Sequence, residues 1–295
     1  MTGATGHTRT PGIRSALTVR AKHLRQGLEA SLVGVWLERL IELQFIDRAV
    51  ALAAKAFVAL VPVVVAVAAL APDSVRAAMT GTLQRRMGLS GPSLELVRAG
   101  FASEPGISTS TGFVGGLLLL FYAMSFTRAL QRVYLSAWRQ PPETARRAAF
   151  KGLAWLVVLM VMLWIAGVLH DALTDRPPGW ALFLLLAFAA LSTFWWTTAF
   201  LSLRGHVRWR VLLPSSLLTA VGLLLYGAAA SVWMPRSVEA NEAQFGLFGV
   251  SMTIVSWFVG AALILVGATA LGPVLAQDGG WLGRLIRGRG GTIYR

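Results

Sequence analysis

The chain contains no cysteine and has few charged residues. Its 295 residues include 27 Lys and Arg, 13 Asp and Glu and 4 His, and charged residues make up 14% of the sequence. Without cysteine there is no disulfide framework, no thiolate metal site and no thiol nucleophile. A typical soluble protein carries about 25% charged residues. The scarcity of charge therefore argues against a soluble globular protein.

Groups that carry metal-dependent hydrolysis are also scarce. His7, His23, His170 and His206 lie in separate tails and loops, and no acidic residue falls within an apolar run. Two-metal hydrolysis needs such side chains clustered around the ions. The chain also has no Ser-centred elbow and no Gly-Lys-Ser/Thr loop for phosphates. We therefore expect no catalytic residue, no metal site and no cofactor, and we interpret the protein as non-enzymatic.

Long apolar runs dominate what remains of the sequence. Hydrophobic residues make up 56% of the chain, and a bilayer core of about 30 Å is crossed by about 20 helical residues. We predict an all-α, polytopic membrane helix bundle with six transmembrane helices. The spans are expected at about 49–70, 110–127, 150–169, 180–202, 211–233 and 248–271. They form one membrane domain over 28–278, between basic tails at 1–27 and 279–295.

A charged helical segment precedes the first span. Within residues 28–46, Leu32, Trp36 and Leu40 recur at helical spacing among charged residues, and the segment is too polar to cross a membrane. We predict an amphipathic helix that either lies on the membrane surface or packs on cytoplasmic loops. The first 20 residues hold no apolar stretch, so we expect the first span to direct insertion.

The basic residues favour one side of the membrane. Twenty of the 27 Lys and Arg lie in the segment up to Arg48, in 128–151, in 204–210 and after 271. Six lie in the alternate connections, and Lys55 lies within a span. Because Lys and Arg accumulate in cytoplasmic loops, we predict that both termini are cytoplasmic. The same bias explains the net charge of +14 without a nucleic-acid partner.

Two residue patterns predict how the spans contact their surroundings. Several tryptophans near the span ends are expected to anchor the membrane interface: Trp155, Trp180, Trp195, Trp209, Trp233 and Trp281. The fifth and sixth spans carry pairs of small residues four positions apart, which predict close helix packing within the chain or between copies in a homo-oligomer: Ser215/Thr219 and Ser256/Gly260.

Lys55 is an ionisable residue inside the first span, which is by itself a hypothesis for a functional site. It follows Arg48 by two helical turns on nearly the same face, so the two cations suit an anionic group, such as a lipid phosphate, near the cytoplasmic leaflet. Alternatively, Lys55 snorkels to the headgroups or pairs with an acidic neighbour. Pro62 removes a backbone donor, and the resulting bend either lines a cavity or is relieved by packing.

Arg128 and Arg132 lie one helical turn apart at the end of the second span. They either anchor the topology or contribute to the same anionic site. The candidate ligand-binding residues are therefore Arg48, Lys55, Arg128 and Arg132, with Pro62 as the candidate cavity or kink residue. The expected partners are membrane lipids, including anionic lipids.

Four longer stretches follow one another in a fixed order: DRAVALAAKAFVALVPVVVAVAAL, FTRALQRVYLSAW, VRWRVLLPSSLLTAVGLLLYGAAASVW and FGLFGVSMTIVSWFVGAALILVGATALGPVLAQD. Together they cover most of residues 45–278 and resemble the YihY/BrkB family of bacterial inner-membrane proteins. The chain departs from the family at Gln131, where Asn is frequent, and at Ser215-Ser216, where Gly is frequent. The resemblance implies six spans in a bacterial inner (plasma) membrane with both ends in the cytoplasm. It also implies a transport or lipid-handling role, and some members carry an old ribonuclease BN label.

The sequence leaves three functions to compare. The preferred one is a transporter or lipid-handling protein with an anionic-ligand site near the cytoplasmic side. The alternative is a structural or scaffold membrane protein of the cell envelope without transport activity. Ribonuclease activity is the least supported, because the metal ligands it needs are not clustered in the sequence.

Overall fold

The structure, a computed structural model, describes residues 31–70, 95, 109–173, 179–203, 206–288 and 292–294. The predicted tail at 1–27 lies outside the described residues. No strand occurs in this part of the chain, and an isolated bridge joins Val207 to Tyr294. The all-α prediction is confirmed there. The helices are α1 (Leu32–Glu42), α2 (Phe45–Leu70), α3 (Thr109–Ala137), α4 (Ala145–Leu173), α5 (Gly179–Leu203), a 3-10 turn (Trp209–Leu212), α6 (Leu213–Phe245), α7 (Leu247–Gln277) and α8 (Trp281–Arg287).

Five of the six predicted apolar runs lie within the long helices α2, α3, α4, α5 and α7, and the fifth run, 211–233, begins in the 3-10 turn and continues in α6. Among the described residues, three segments are long and apolar enough to cross a membrane: Leu184–Leu203, Trp209–Phe245 and Leu247–Gln277. Only 28%, 33% and 28% of their apolar windows are buried by the rest of the protein. Apolar surface of this extent calls for a lipid environment or a partner rather than water. Six crossings and their orientation stay predictions.

The long helices form a ring in chain order. Each packs against the next, and α7 packs back against α2, while α3 also contacts α5 and α7. The ring is filled by a core of large buried side chains, which include Leu52, Leu130, Trp138, Leu212 and Val266. The fold therefore closes through a contact between its first and last long helices.

The limits of helix α1 are defined by a cap at its start and a sharp turn after its end. The Ser31 hydroxyl accepts a hydrogen bond from the Gly34 N–H at 3.2 Å, which satisfies one of the free donors of the first turn. At the other end Gln44 has a φ of 50°, a left-handed conformation that turns the chain sharply into α2. The helix predicted within 28–46 is thus confirmed over Leu32–Glu42.

The inner face of α1 packs on the bundle. Trp36 Nε1 donates to the Gly267 carbonyl of α7 at 3.1 Å, and Arg39 donates to the Ala137 carbonyl at the end of α3 at 2.5 Å. The opposite face exposes a row of apolar side chains at every fourth position: Val33, Leu37 and Ile41. The helix therefore packs on the protein with one face and still presents the apolar stripe of a surface helix.

Helices α6 and α7 form a hairpin that is longer than the sequence predicts. The fifth span is expected to end near 233, but α6 continues through Pro235 to Phe245. Only Gly246 separates it from α7, with a φ of 59° that favours glycine. Met234 and Val238 of the extension pack on Val250 in a second, smaller core. This packing stabilises helix where the polar sequence suggested a connection.

Small residues let these two helices approach each other within the chain. A Cβ on Gly260 would lie 2.2 Å from the Tyr226 hydroxyl, and a Cβ on Gly222 would lie 2.6 Å from Ile264. Ser215 and Thr219 are buried. The prediction of close packing within the chain is confirmed at these positions. A homo-oligomer stays a prediction.

Two of the predicted interface anchors lie in the core instead. Trp155 and Trp195 are 8% and 9% exposed, and Trp155 Nε1 donates to the Thr198 hydroxyl at 2.9 Å. The prediction is wrong for these two, because they point between helices rather than outwards. Trp209 and Trp281 are exposed at helix ends, as anchors would be. The Trp180 side chain lies outside the described part.

Candidate functional site

Lys55 faces α3 across a helix seam. Its Nζ donates to the Ser125 hydroxyl at 2.8 Å, and the side chain is half-buried. No carboxylate among the described residues pairs with it. The predicted pairing of Lys55 with an acidic neighbour is therefore not observed in this part of the chain, and its partner is a neutral hydroxyl.

Arg48 stabilises the turn between α1 and α2 with a hydrogen bond. Its Nε donates to the Leu43 carbonyl at 2.6 Å, and a terminal nitrogen lies 3.5 Å from the Arg132 carbonyl. Lys55 follows Arg48 by seven residues on α2, and Ser125 precedes Arg132 by seven residues on the antiparallel helix α3. The two contacts are therefore about 10 Å apart, at 1.5 Å per residue. Arg48 thus holds the helix start in place, and Lys55 lies two turns further along.

Arg128 and Arg132 open onto a cleft between α3 and α4, which we call the basic cleft. Its volume is about 220 Å³. Both arginine side chains are exposed, and neither has a carboxylate partner among the described residues. The cleft is lined by Arg128, Gln131, Arg132, Leu135, Pro142, Glu143, Ala145 and Ala148. Lys55 and Pro62 are not among the lining residues, so the predicted site residues fall into two places.

Gln131 and Glu143 fix the walls of the basic cleft. The buried Gln131 amide donates to the Ala148 carbonyl at 3.3 Å, which ties α3 to the first turn of α4. Glu143 pairs with Lys151, and both side chains are only 12% exposed. Lys151 also donates to the Ser202 carbonyl at the end of α5 at 3.3 Å. Because Lys151 neutralises the Glu143 carboxylate, the two arginines set the charge of the cleft.

A second groove lies beside the basic cleft, and we call it the α4 groove. Its volume is about 460 Å³, and it is lined by Thr144, Arg146, Arg147, Phe150 and Lys151. The first N–H groups of α4 have no partner within the helix, and a helix start of this kind favours an anion. The Phe150 ring is 71% exposed. Positive charge and an exposed apolar ring thus occur side by side.

Several hydroxyl groups of α5 are bonded within their own helix, whereas the buried Ser192 hydroxyl has no hydrogen-bond partner within the described residues. Thr193 and Thr198 donate to the carbonyls of Ala189 and Phe194, four residues earlier, at 2.8 Å each. Such bonds satisfy hydroxyls inside an apolar helix without a ligand. In the described part of the chain, no three His, Asp or Glu side chains lie together as metal ligands would.

Sequence reasoning missed the residues that complete these sites. The spacing of Arg128 and Arg132 placed them on one helix face. No local sequence pattern indicated that Glu143 and Lys151 would form an ion pair beside them. The Pro-Pro-Glu-Thr segment that precedes Arg146, Arg147 and Phe150 is typical of a helix start. This signal could have placed Arg146 and Arg147 in the first turn of α4.

Comparison of the chain with protein-family models, with curated proteins and with solved structures found no match in any of the three. The resemblance to the YihY/BrkB family therefore stays a prediction from the sequence motifs.

Proposed function

We propose that this chain is a six-span, non-enzymatic membrane protein that handles anionic lipids at the end of the bundle that carries the basic cleft. The observation that carries the proposal is the basic cleft. Arg128 and Arg132 face it without a carboxylate partner among the described residues, while its own carboxylate is neutralised by Lys151. An arginine binds a phosphate with two parallel hydrogen bonds, and two arginines one turn apart suit one headgroup.

The surroundings favour a lipid over a small soluble anion. The α4 groove adds Arg146 and Arg147 beside the exposed Phe150 ring. A headgroup at the arginines leaves its acyl chains next to apolar surface, which a free anion would not need. By the charge bias of the connections, this end faces the cytoplasm of a bacterial inner membrane, where anionic lipids attract basic segments.

Lys55 has a separate part in this proposal. It lies about 10 Å from Arg48 along α2, and its ammonium has one neutral hydroxyl partner among the described residues. A lipid phosphate that moves inwards from the basic cleft meets this ammonium next. We therefore assign Lys55 to a transport step and the arginines to binding.

Lipid retention during native mass spectrometry tests the binding. Arg128→Gln/Arg132→Gln removes the charge and keeps most of the side-chain volume. We expect it to lower retention of phosphatidylglycerol about tenfold or more, since each charge-assisted hydrogen bond contributes about 1.5–3 kcal/mol. Inorganic phosphate is the competitor that separates a headgroup from a free anion.

The matched control is Arg208→Gln/Arg210→Gln, which removes the same charge elsewhere on the predicted cytoplasmic side. It is expected to retain phosphatidylglycerol like the wild type. Equal losses in the two double variants would indicate unspecific charge attraction. Unchanged retention in the Arg128/Arg132 variant would remove the lipid proposal and favour a scaffold role.

A further inference from the structure

A second cleft lies at the far end of the α6–α7 hairpin, away from the basic cleft. Helix α6 has 33 residues, so its two ends are separated by about 50 Å. It begins near the end of α5, where Lys151 contacts Ser202, and it ends at Phe245. The cleft at that end has a volume of about 340 Å³. We call it the hairpin cleft.

The described residues that line the hairpin cleft carry no charge. All nine of them are neutral, in contrast to those of the basic cleft. Four of them carry hydroxyl or amide groups: Ser237, Asn241, Thr253 and Ser256. Three others carry aromatic rings: Trp233, Phe245 and Phe248. Among the described lining residues there is no cation or carboxylate, which argues against an ionic ligand and favours a neutral one.

The polar groups are placed by a close approach of the two helices. A Cβ on Gly249 would lie 2.1 Å from the Asn241 carbonyl, so only glycine lets α7 come this near. The approach allows Asn241 Nδ2 to donate to the Thr253 hydroxyl at 2.8 Å. Thr253 in turn donates to the Gly249 carbonyl at 2.9 Å. Asn241 is thus held in one orientation across the hairpin.

Unused hydrogen-bonding capacity remains in the cleft. Asn241 keeps its Oδ1 acceptor and one amide hydrogen, and the Ser237 hydroxyl makes no hydrogen bond within the described residues. Ser256 donates to the Met252 carbonyl at 2.9 Å and keeps its acceptor. The lining therefore offers both donors and acceptors. Hydroxyl groups, each of which donates and accepts, match this pattern.

The aromatic side chains supply the apolar half of the cleft. The Phe245 and Phe248 rings are 60% and 69% exposed and lie on either side of Gly246. Trp233 lies about 18 Å before Phe245 along α6, at 1.5 Å per residue. A saccharide ring has hydroxyls at its rim and C–H groups on its faces. Hydrogen bonds at the rim and an apolar wall against a face are what a site for one small ligand provides.

We propose that the hairpin cleft binds a neutral saccharide ring, either free or as the headgroup of a glycolipid. The proposal does not depend on lipid binding at the basic cleft, because the two sites share no residue. An acyl chain alone would leave the Asn241 and Ser237 groups without partners. An anion would meet no cation among the described lining residues.

The test uses the full chain in phosphatidylcholine nanodiscs, free of glycoside detergents. Calorimetric titration with methyl β-glucoside is compared with titration with methoxycyclohexane, a ring of similar size without hydroxyls. A second arm incorporates monoglucosyl diacylglycerol and measures its retention. We expect the glucoside to bind and methoxycyclohexane not to bind. Tighter binding of the glucolipid than of the glucoside would identify the lipid headgroup as the source.

Two variants and one matched control make the test specific. Asn241→Leu is expected to weaken glucoside binding about tenfold, since loss of hydrogen bonds worth about 1.4 kcal/mol has this effect. Ser237→Ala is expected to weaken it about threefold without a folding defect, because Ser237 has no partner within the described residues. Ser231→Ala changes the same residue type on α6 outside the lining and should have no effect.

The proposal is overturned by any of three results. The first is the absence of glucoside and glucolipid binding. The second is equal binding of methoxycyclohexane, which would indicate an apolar site. The third is glucoside binding that is unchanged in Ser237→Ala and in a folded Asn241→Leu protein.

Discussion

Glu42 is approached by two arginines from opposite directions. Arg139, after the end of α3, donates to its carboxylate at 3.0 and 3.2 Å, and Arg39 of α1 donates at 2.5 Å. Arg39 also bonds the Ala137 carbonyl and is buried. The carboxylate thereby joins α1 to the end of α3, next to the turn that leads into α2.

The hydrogen bonds from Arg139 and then from Arg39 hold the pKa of Glu42 below its ordinary value of 4.5. A lowered folded-state pKa means that the stabilisation is complete above the unfolded-state pKa and is lost as pH falls through the folded-state value. We expect Glu42→Gln to lower stability by about 0.5–1 kcal/mol at pH 7, since the side chain is half-exposed. Below the folded-state pKa of Glu42 the difference should vanish.

Thermal unfolding of both proteins from pH 7 to pH 3 measures this effect. Glu38→Gln is the matched control, because Glu38 lies on the same helix without an ion pair among the described residues. A Glu42→Gln deficit that does not shrink as pH falls through the titration of the carboxylate would contradict the assignment to its charge.

Single residues were only partly predictable from the sequence. The spacing of Arg128 and Arg132 gave their common face, because a helix repeats every 3.6 residues. The hydroxyl partner of Lys55 was not predictable, because Ser125 lies 70 positions away on another helix. The hydrogen bond from Arg48 to the Leu43 carbonyl was also not predictable, since it depends on the left-handed turn at Gln44.

At the scale of helices, Gly260 tests the α6–α7 contact. A methyl group there would collide with the Tyr226 hydroxyl, which donates to the Trp257 carbonyl at 3.1 Å. We expect Gly260→Ala to destabilise the protein by about 1–3 kcal/mol, as overpacking typically does. The measurement is thermal or denaturant unfolding in a mild detergent. Tyr226→Phe in the same protein should restore part of the loss.

Gly227 on α6 provides the comparison for Gly260. A Cβ there would meet no atom within 4 Å. Gly227→Ala is therefore expected to be neutral or to stabilise by about 0.5–1 kcal/mol, because alanine loses less entropy in a helix. If both substitutions destabilise equally, the collision with Tyr226 is not the cause.

The positions of the long helices were predictable, but several of their ends were not, since α3 continues to Ala137 and α6 to Phe245. Apolar runs that fit the bilayer thickness located all six long helices, since length and composition suffice for that. The end of α6 depends on contacts of Met234 and Val238 with Val250 across the hairpin. Such contacts between distant residues leave no local periodicity, so the polar stretch before Gly246 suggested a connection instead.

At the scale of the whole molecule, the predicted orientation can be tested with single cysteines, because the chain has none of its own. Glu239→Cys at the hairpin end and Arg146→Cys at the α4 groove are both at exposed positions. With both termini in the cytoplasm, a membrane-impermeant maleimide should label Glu239→Cys in intact spheroplasts. Arg146→Cys should react only after permeabilisation. The reverse pattern would invert the topology.

The contact that closes the helix ring joins residues far apart in the chain. Trp36 on α1 bonds the Gly267 carbonyl across 231 positions, and α2 packs on α7. During synthesis, the earliest helices therefore wait for the last long one before they reach their native neighbours. If synthesis stops before α7 emerges, the surfaces of α1 and α2 that contact α7 stay exposed. Quality-control proteases and insertion chaperones can recognise such a surface.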